Sequence, residues 1–160
     1  MNTFGMLDIR LARSDDALEI LRWRNDADTR FMSRNGAVIG EEQHKVWFSR
    51  ALKDSGRILL IGIHLNKKVG MVRFDRNREK LWETNIVIAP EFRGRGLARL
   101  FLDMALKYFF SEHPEASLLA EIKRCNVTSQ RLFFSLGFVC DVDNGELLRF
   151  LLCPQERSQS

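Results

Sequence analysis

The most informative stretch of the sequence is IVIAPEFRGRGLA, residues 86–98. An apolar run ends at Pro90, a short basic turn with two glycines follows, and an amphipathic run begins at about Gly96. This order predicts a strand, a loop and the start of a helix. Glycines let backbone N–H groups approach a ligand closely, and a helix N-terminus carries roughly half a unit of positive charge. With Arg93 and Arg95 in the turn, the stretch predicts a site for a phosphate or pyrophosphate group.

The composition indicates a folded protein with a substantial core. Of the 160 residues, 45% are hydrophobic, 29% are charged and 12 are Phe. The formal net charge is +4, without a run of five like charges, which argues against a nucleic-acid partner and fits an anionic small molecule. We predict a single domain over residues 1–153 and a polar tail over residues 154–160.

The cysteines and the N-terminal residues favour a cytoplasmic protein. Cys125, Cys140 and Cys153 are odd in number and lack the spacing of a metal site, which is typical of free thiols in a reducing compartment. Residues 1–10 lack the pattern of a signal peptide, and no apolar run approaches the ~20 residues that span a bilayer. We therefore expect a cytoplasmic location, no bound metal and no membrane span.

The hydrophobic periodicity predicts an α/β fold with a mixed, mostly antiparallel central sheet and helices on both faces. Strands are predicted over residues 8–11, 58–65, 68–75, 81–89, 118–122, 138–142 and 147–152. Helices are predicted over about residues 14–25, 41–54, 96–110 and 126–136. The segment 23–32 is predicted to be irregular, and Asn66-Lys67 is predicted to form a tight turn in a meander.

Two motifs resemble the cofactor-binding motifs of the GNAT superfamily of N-acyltransferases. PxxRGxGLA at residues 90–98 is similar to the acyl-CoA pyrophosphate loop, and Asn126 followed by LFxxLGF at residues 132–138 is similar to the second motif. The order of elements also matches from Ile9 to Leu152. The alternative of a dinucleotide fingerprint is disfavoured, because Arg99 stands where that motif needs a small residue.

This resemblance implies that a primary amine attacks the thioester of acetyl-CoA directly. In the family, the strand before the loop splays from its neighbour and offers backbone N–H groups to the oxyanion. The residues thereby implied to bind the co-substrate are Ile86, Val87, Ile88, Arg93, Gly94, Arg95, Gly96, Leu97, Ala98, Asn126 and Phe133.

Glu83 and His44 are the candidates for the group that takes the proton from the amine. Glu83 lies on the strand that leads to the loop, at a position that several relatives use for this purpose. His44 has an ordinary pKa near neutral pH, but it lies on an aromatic helix face. The alternative is that Glu83 is an exposed strand carboxylate and His44 a packed ring. Many relatives also carry a Tyr that protonates the thiolate, where Phe133 stands here, so the thiolate leaves unaided or another group protonates it.

The acceptor site of the family lies in the first two helices and the loop between them. The residues that we predict to bind the acceptor are Arg24, Arg30, Met32, His44 and Trp47. This region resembles N-acetyltransferases that act on a UDP-linked 4-amino sugar on the way to pseudaminic acid, which implies an anionic acceptor. Two alternatives stay open: acetylation of a ribosomal-protein N-terminus, and a CoA-binding sensor without turnover. The resemblance is also compatible with a homodimer.

Overall fold

The computed structural model describes residues 5–154, so residues 155–160 of the predicted tail lie outside it. The strands are β1 (Leu7–Leu11), β2 (Arg57–His64), β3 (Lys67–Arg78), β4 (Leu81–Ile88), β5 (Ser117–Lys123), β6 (Val139–Asp143) and β7 (Leu147–Leu152). The helices are α1 (Ala17–Asn25), α2 (Ala27–Met32), α3 (Glu41–Lys53), α4 (Leu97–Glu112) and α5 (Val127–Ser135). Short 3₁₀ turns cover Ser14–Asp16 and Pro90–Phe92.

The strands form a seven-stranded sheet in the order β1-β2-β3-β4-β5-β7-β6. Every neighbouring pair is antiparallel except β4 and β5, which are parallel. This arrangement confirms the predicted mixed, mostly antiparallel sheet. The β4–β5 pairing covers only the residue pairs from Leu81–Ser117 to Glu83–Leu119, whereas β4 continues along β3 to Ile88. A gap therefore opens between β4 and β5 after Glu83.

The alternation of side chains along the strands places a helical layer on each face of the sheet. Phe74 of β3 and Trp82 of β4 lie against Phe109 of α4, with ring centroids 4.6 and 5.3 Å apart. Arg73 precedes Phe74 and so points to the opposite face, where its guanidinium lies 5.5 Å from the ring centroid of Trp47 of α3. The gap between β4 and β5 is thus open towards α4 on one face and towards α1–α3 on the other.

Three details differ from the predicted elements. Residues 27–32 form helix α2, because the side chain of Asp26 accepts a hydrogen bond from the backbone N–H of Thr29 at 3.2 Å and caps it. The tight turn lies at Leu65-Asn66, which have φ values of 49° and 63°, as a type I′ turn requires. Helix α4 continues two residues beyond its predicted end, to Glu112, and buries one face. That face consists of Leu97, Phe101, Leu102, Ala105, Leu106 and Phe109.

Within residues 5–154, none of the helices combines the length and the apolar character needed to cross a membrane.

Candidate active site

The gap exposes backbone groups of β4. The backbone N–H of Ala89 donates to the carbonyl of Val69 at 2.8 Å, so this N–H points towards β3. Because backbone N–H directions alternate along a strand, the N–H groups of Ile86 and Ile88 point away from β3 and into the gap. At these positions β5 has already diverged from β4. Two backbone donors therefore face the region where an oxyanion is expected.

The loop after β4 has the geometry of an anion site. Gly94 and Gly96 have φ values of 72° and 74°, which favour glycine, and a Cβ built on either residue meets no atom within 4 Å. Both residues therefore leave open space at the N-terminus of α4, which begins at Leu97 and runs for 16 residues. The residues of the loop thus fit the phosphate groups of CoA.

The two arginines of the loop have different roles. Arg93 pairs with Asp26 at 2.9 Å and donates to the hydroxyl of Thr29 at 2.7 Å, so that its side chain ties the loop to α2. Arg95 lies over the ring of Phe92, 5.3 Å from its centroid, and borders a cavity of about 430 Å³. The charge of Arg95 is therefore the one that remains available beside the loop.

Asn126 and Phe133 of the second motif both have roles in the fold. The side-chain oxygen of Asn126 accepts from the backbone N–H of Ser129 at 3.2 Å and caps α5. Phe133 is 3% exposed and packs edge-on against Phe138, with ring centroids 5.0 Å apart. The position of Phe133 therefore supplies no hydroxyl to a departing thiolate. The contacts of both residues with CoA stay predictions.

Glu83 belongs to the last residue pair before the gap opens. Its side chain is only 13% exposed. Burial raises the pKa of this carboxyl above its ordinary value, against the smaller opposing effect of the Arg34 guanidinium. A carboxylate with a raised pKa at this place is suited to accept a proton from an amine.

Arg34 connects Glu83 with Glu121 across the gap. Its Nη2 lies 3.1 Å from Oε1 of Glu83, and its Nη1 lies 2.5 Å from Oε2 of Glu121. Glu121 stands two positions after Leu119, the partner of Glu83, so both carboxylates lie on the same face of the sheet. Two carboxylates, one from each diverging strand, thus hold one cationic group. Arg34 and Glu121 were not among the site residues predicted from the sequence.

Three guanidinium groups surround Trp47 on the same face. Those of Arg24, Arg57 and Arg73 lie 4.6, 5.7 and 5.5 Å from the centroid of its ring. Asp75 pairs with Arg73 at 2.8 Å and with Arg57 at 3.8 Å, whereas no described residue forms a hydrogen bond or an ion pair with the guanidinium of Arg24. Burial and the charge of Arg73 lower the pKa of Arg24 to about 10. Two predicted acceptor residues, Arg24 and Trp47, are thus in contact.

His44, a candidate both for the proton acceptor and for acceptor binding, lies in the core between α1 and α3. It is 0% exposed, its ring stacks on Phe48 with centroids 5.7 Å apart, and its Nε2 lies 2.7 Å from the carbonyl of Ala17. Burial lowers the pKa of His44, so the neutral ring donates this N–H to the carbonyl. His44 therefore joins α3 to the start of α1 in the core, and its part in catalysis or acceptor binding stays a prediction.

The remaining predicted acceptor residues, Arg30 and Met32, belong to α2, and their part in acceptor binding stays a prediction. Arg30 donates to the carbonyls of Asn25 and Gly36 at 3.2 and 3.3 Å, which braces the segment after α2. Met32 is 37% exposed at the end of α2. Among the described residues, no group of three or more His, Cys, Asp and Glu side chains is placed to hold a metal ion.

A family model for the acetyltransferase (GNAT) domain matches residues 7–139. The fold is similar to that of a Vibrio cholerae spermidine N-acetyltransferase in complex with CoA and spermine, at 18% identity and a TM-score of 0.83, covering 94% of this chain and 96% of that one. A dodecameric structure of spermidine N-acetyltransferase from the same organism has 20% identity, a TM-score of 0.78 and coverages of 94% and 95%. A domain from Methanocaldococcus jannaschii has 20% identity, a TM-score of 0.81 and coverages of 93% and 99%.

No curated protein sequence matches the chain. At identities of 18–20% the structural similarities establish the fold, and the family model carries the assignment beyond it. That model extends from β1 to the first residue of β6, which is most of the chain. It includes both the gap between β4 and β5 and the glycine loop. The chain therefore belongs to the acetyltransferase (GNAT) domain family and is an acyl-CoA-dependent N-acetyltransferase.

Proposed function

We propose that the protein transfers the acetyl group of acetyl-CoA to a primary amine of the di- or polyamine class. The observation that carries this proposal is the pair of carboxylates, Glu83 and Glu121, which hold a guanidinium group at the gap. An alkylammonium group can pair with the same two carboxylates. The spermidine N-acetyltransferases that share this fold support the same acceptor class. The dodecameric assembly of one of them favours an oligomeric state, and the family resemblance is compatible with a homodimer.

Glu83 is the proposed proton acceptor. An alkylamine is protonated at neutral pH, with a pKa of about 10.4 for the Lys side chain, so it must lose a proton before it can attack. The half-buried carboxylate of Glu83 takes this proton directly or through one water. The N–H groups of Ile86 and Ile88 donate to the carbonyl oxygen as negative charge develops on it.

The loop over residues 93–98 is proposed to bind the phosphates of CoA. Backbone N–H groups at Gly94 and Gly96 approach them without a Cβ in the way, and Arg95 adds a positive charge. Phe133 gives no proton to the departing thiolate. A thiol has an ordinary pKa of about 8.5, so the thiolate is an acceptable leaving group.

A second candidate acceptor is an amine that also carries an anionic group, the class that includes the predicted nucleotide-linked amino sugar. The observation that favours it is Arg24, a largely desolvated guanidinium that pairs with no carboxylate among the described residues. A partly buried charge without a carboxylate partner is unfavourable, and a phosphate or carboxylate of the acceptor would pair with it. Trp47 would then contact the uncharged part of the acceptor.

A thiol-release assay with rival acceptors distinguishes these candidates. We expect turnover of spermidine, with KM raised about tenfold by Glu121→Gln, because that variant removes a charged hydrogen-bond partner. Arg24→Ala is the matched variant and is expected to leave the KM for spermidine unchanged. Turnover of a UDP-4-amino sugar alone, weakened by Arg24→Ala, would select the second candidate. Turnover of a ribosomal-protein peptide alone would contradict both, and thermal stabilisation by CoA without turnover of any amine would indicate a sensor.

A further inference from the structure

Residues 33–39 form a strap that connects α2 to α3 and is fixed at both ends. At one end, the hydroxyl of Ser33 donates to the carbonyl of Thr29 at 2.7 Å. At the other, Ile39 and the side chain of Asn25 exchange two hydrogen bonds of 2.8 Å. Residues 34–38 between these ends are exposed. Arg34 is therefore carried by a short exposed segment with firm anchors.

The strap and the end of α2 span the gap on the face that carries Glu83. Lys123 of β5 donates to the carbonyl of Phe31 at 2.7 Å, and Arg34 reaches Glu121 of β5 as well as Glu83 of β4. The side chain of Arg34 is 55% exposed, whereas those of Glu83 and Glu121 are 13% and 26% exposed. The carboxylates thus belong to the sheet, and the guanidinium reaches them from the solvent side.

We propose that Arg34 occupies the position of the acceptor's ammonium group and that the acceptor displaces it. This inference rests on the proposed function, because it takes Glu83 and Glu121 as the carboxylates that receive the acceptor. The guanidinium already uses one oxygen of each carboxylate, at 3.1 and 2.5 Å, and it fills the space between them. An amine must therefore compete with a tethered cation, which is present at high effective concentration.

Displacement of Arg34 also makes Glu83 a stronger base. The paired guanidinium stabilises the carboxylate and lowers its pKa, against the larger effect of burial. When the acceptor removes the guanidinium, this stabilisation is lost just as the ammonium arrives with its proton. In the absence of an acceptor, the paired Glu83 is less able to take a proton from water, so Arg34 limits hydrolysis of the thioester to acetate and free CoA.

Steady-state kinetics of Arg34→Ala test the displacement. The KM for spermidine is expected to fall about 2- to 5-fold, as suits the loss of a partly exposed ion pair, while the KM for acetyl-CoA stays the same. Thiol release without an amine is expected to rise. Arg124→Ala is the matched control, because Arg124 is also 55% exposed and pairs with an aspartate, Asp143, of the β6–β7 hairpin. Its kinetic constants should equal those of the wild type.

Guanidinium chloride at millimolar concentration tests the identity of the position. In Arg34→Ala it should compete with spermidine and suppress thiol release without an amine. In the wild type, whose own guanidinium fills the position, it should do neither. Tetramethylammonium chloride, a cation without hydrogen-bond donors, serves as the salt control.

The outcomes separate this inference from the proposed function. A wild-type enzyme that acetylates spermidine, together with an Arg34→Ala variant of unchanged or raised KM, contradicts the inference alone. A wild-type protein that acetylates none of the amines contradicts the proposed function. In that case, the displacement of Arg34 is also contradicted if guanidinium chloride does not suppress the thiol release of Arg34→Ala in the absence of an amine.

Discussion

Asp16, near β1, and Glu83, at the gap, are both shielded from solvent, but they differ in how many donors reach them. Asp16 is 0% exposed and accepts from Arg10 at 2.8 and 2.9 Å, from Lys68 at 2.8 Å and from the backbone N–H of Arg13 at 2.7 Å. Burial alone would raise the pKa of Asp16, but these hydrogen bonds outweigh it and hold the pKa well below its ordinary range. Among the described residues, Glu83 pairs only with Arg34.

This difference separates a carboxylate that stabilises the fold from one that can take part in a reaction. Asp16 is fully paired and joins β1 to β3 through Arg10 and Lys68, so it stays ionised. Glu83 combines burial with a single exposed partner, which leaves its proton affinity high. Raised proton affinity beside a backbone gap is a more specific indication of a catalytic group than burial alone.

Glu83→Gln should have the largest effect on activity. Loss of a general base is expected to lower kcat/KM by about 10²- to 10⁴-fold, while the affinity for acetyl-CoA, measured by calorimetry, stays the same. The melting temperature should be unchanged or slightly raised. The folded pKa of Glu83 lies above its unfolded value, so its ionised form opposes folding at neutral pH. A wild-type rate in this variant would exclude Glu83 as the base.

Asp16→Ala should show the opposite pattern, with a large loss of stability and little loss of kcat. Removal of one member of a buried ionic network typically costs about 3–5 kcal/mol of unfolding free energy, measurable by urea denaturation. Asp15→Ala is the control, since Asp15 is exposed and its replacement should stay within about 0.5 kcal/mol.

The pH dependence of this stability has a defined sign. The folded pKa of Asp16 is lowered, so its contribution is present above the unfolded pKa and is lost as the pH falls through the folded one. The difference in unfolding free energy between the wild type and Asp16→Ala should therefore become smaller at acidic pH. A difference that is independent of pH would show that packing, rather than charge, is lost.

The pH profile of activity should sharpen the contrast between the two carboxylates. We expect kcat/KM to decline by at most about tenfold per pH unit below the pKa of Glu83. The midpoint of this acid limb should lie at a higher pH than the ordinary pKa of a glutamate, because burial raises the pKa of Glu83. Arg34→Ala should move the limb to higher pH, because the guanidinium lowers the pKa of Glu83. A limb at the same pH in both enzymes would show that another group controls it.

The geometry of the loop that we propose to bind CoA could be predicted because its determinants are local. The glycines at 94 and 96, the helix start at Leu97 and the strand before them lie within 13 residues, and their backbone geometry follows from their order. The fold class could also be predicted from the sequence, since turn residues between successive strand-like segments predict antiparallel neighbouring strands. The position of β7 between β5 and β6 does not follow from such signals.

The proposed acceptor half could be predicted only at Glu83, because the rest of it depends on contacts between distant segments. Arg34 lies 49 residues from Glu83 and 87 from Glu121 in the chain. The alternation of side chains in β5 predicts that Glu121 lies on the face opposite the apolar one. Its position beside Glu83 follows only from the short parallel pairing of β4 with β5. His44 shares a helical face with Phe48, and this periodicity describes a packed ring and a catalytic one equally well.

Asn126 is an intermediate case in the comparison of Asp16 with Glu83, because the fold uses only one of the two polar atoms of its side chain. Its oxygen caps α5, whereas no described residue accepts a hydrogen bond from its amide nitrogen. Asn126→Ala should lower the unfolding free energy by about 1 kcal/mol, the usual value of a cap, and Asn126→Ser should restore it. If the nitrogen contacts the pantetheine arm, as the motif implies, both variants should raise the KM for acetyl-CoA by a similar factor. If Asn126→Ser instead has the wild-type KM, Asn126 resembles Asp16 in serving only the fold, and an unpaired side-chain nitrogen is not by itself a sign of ligand contact.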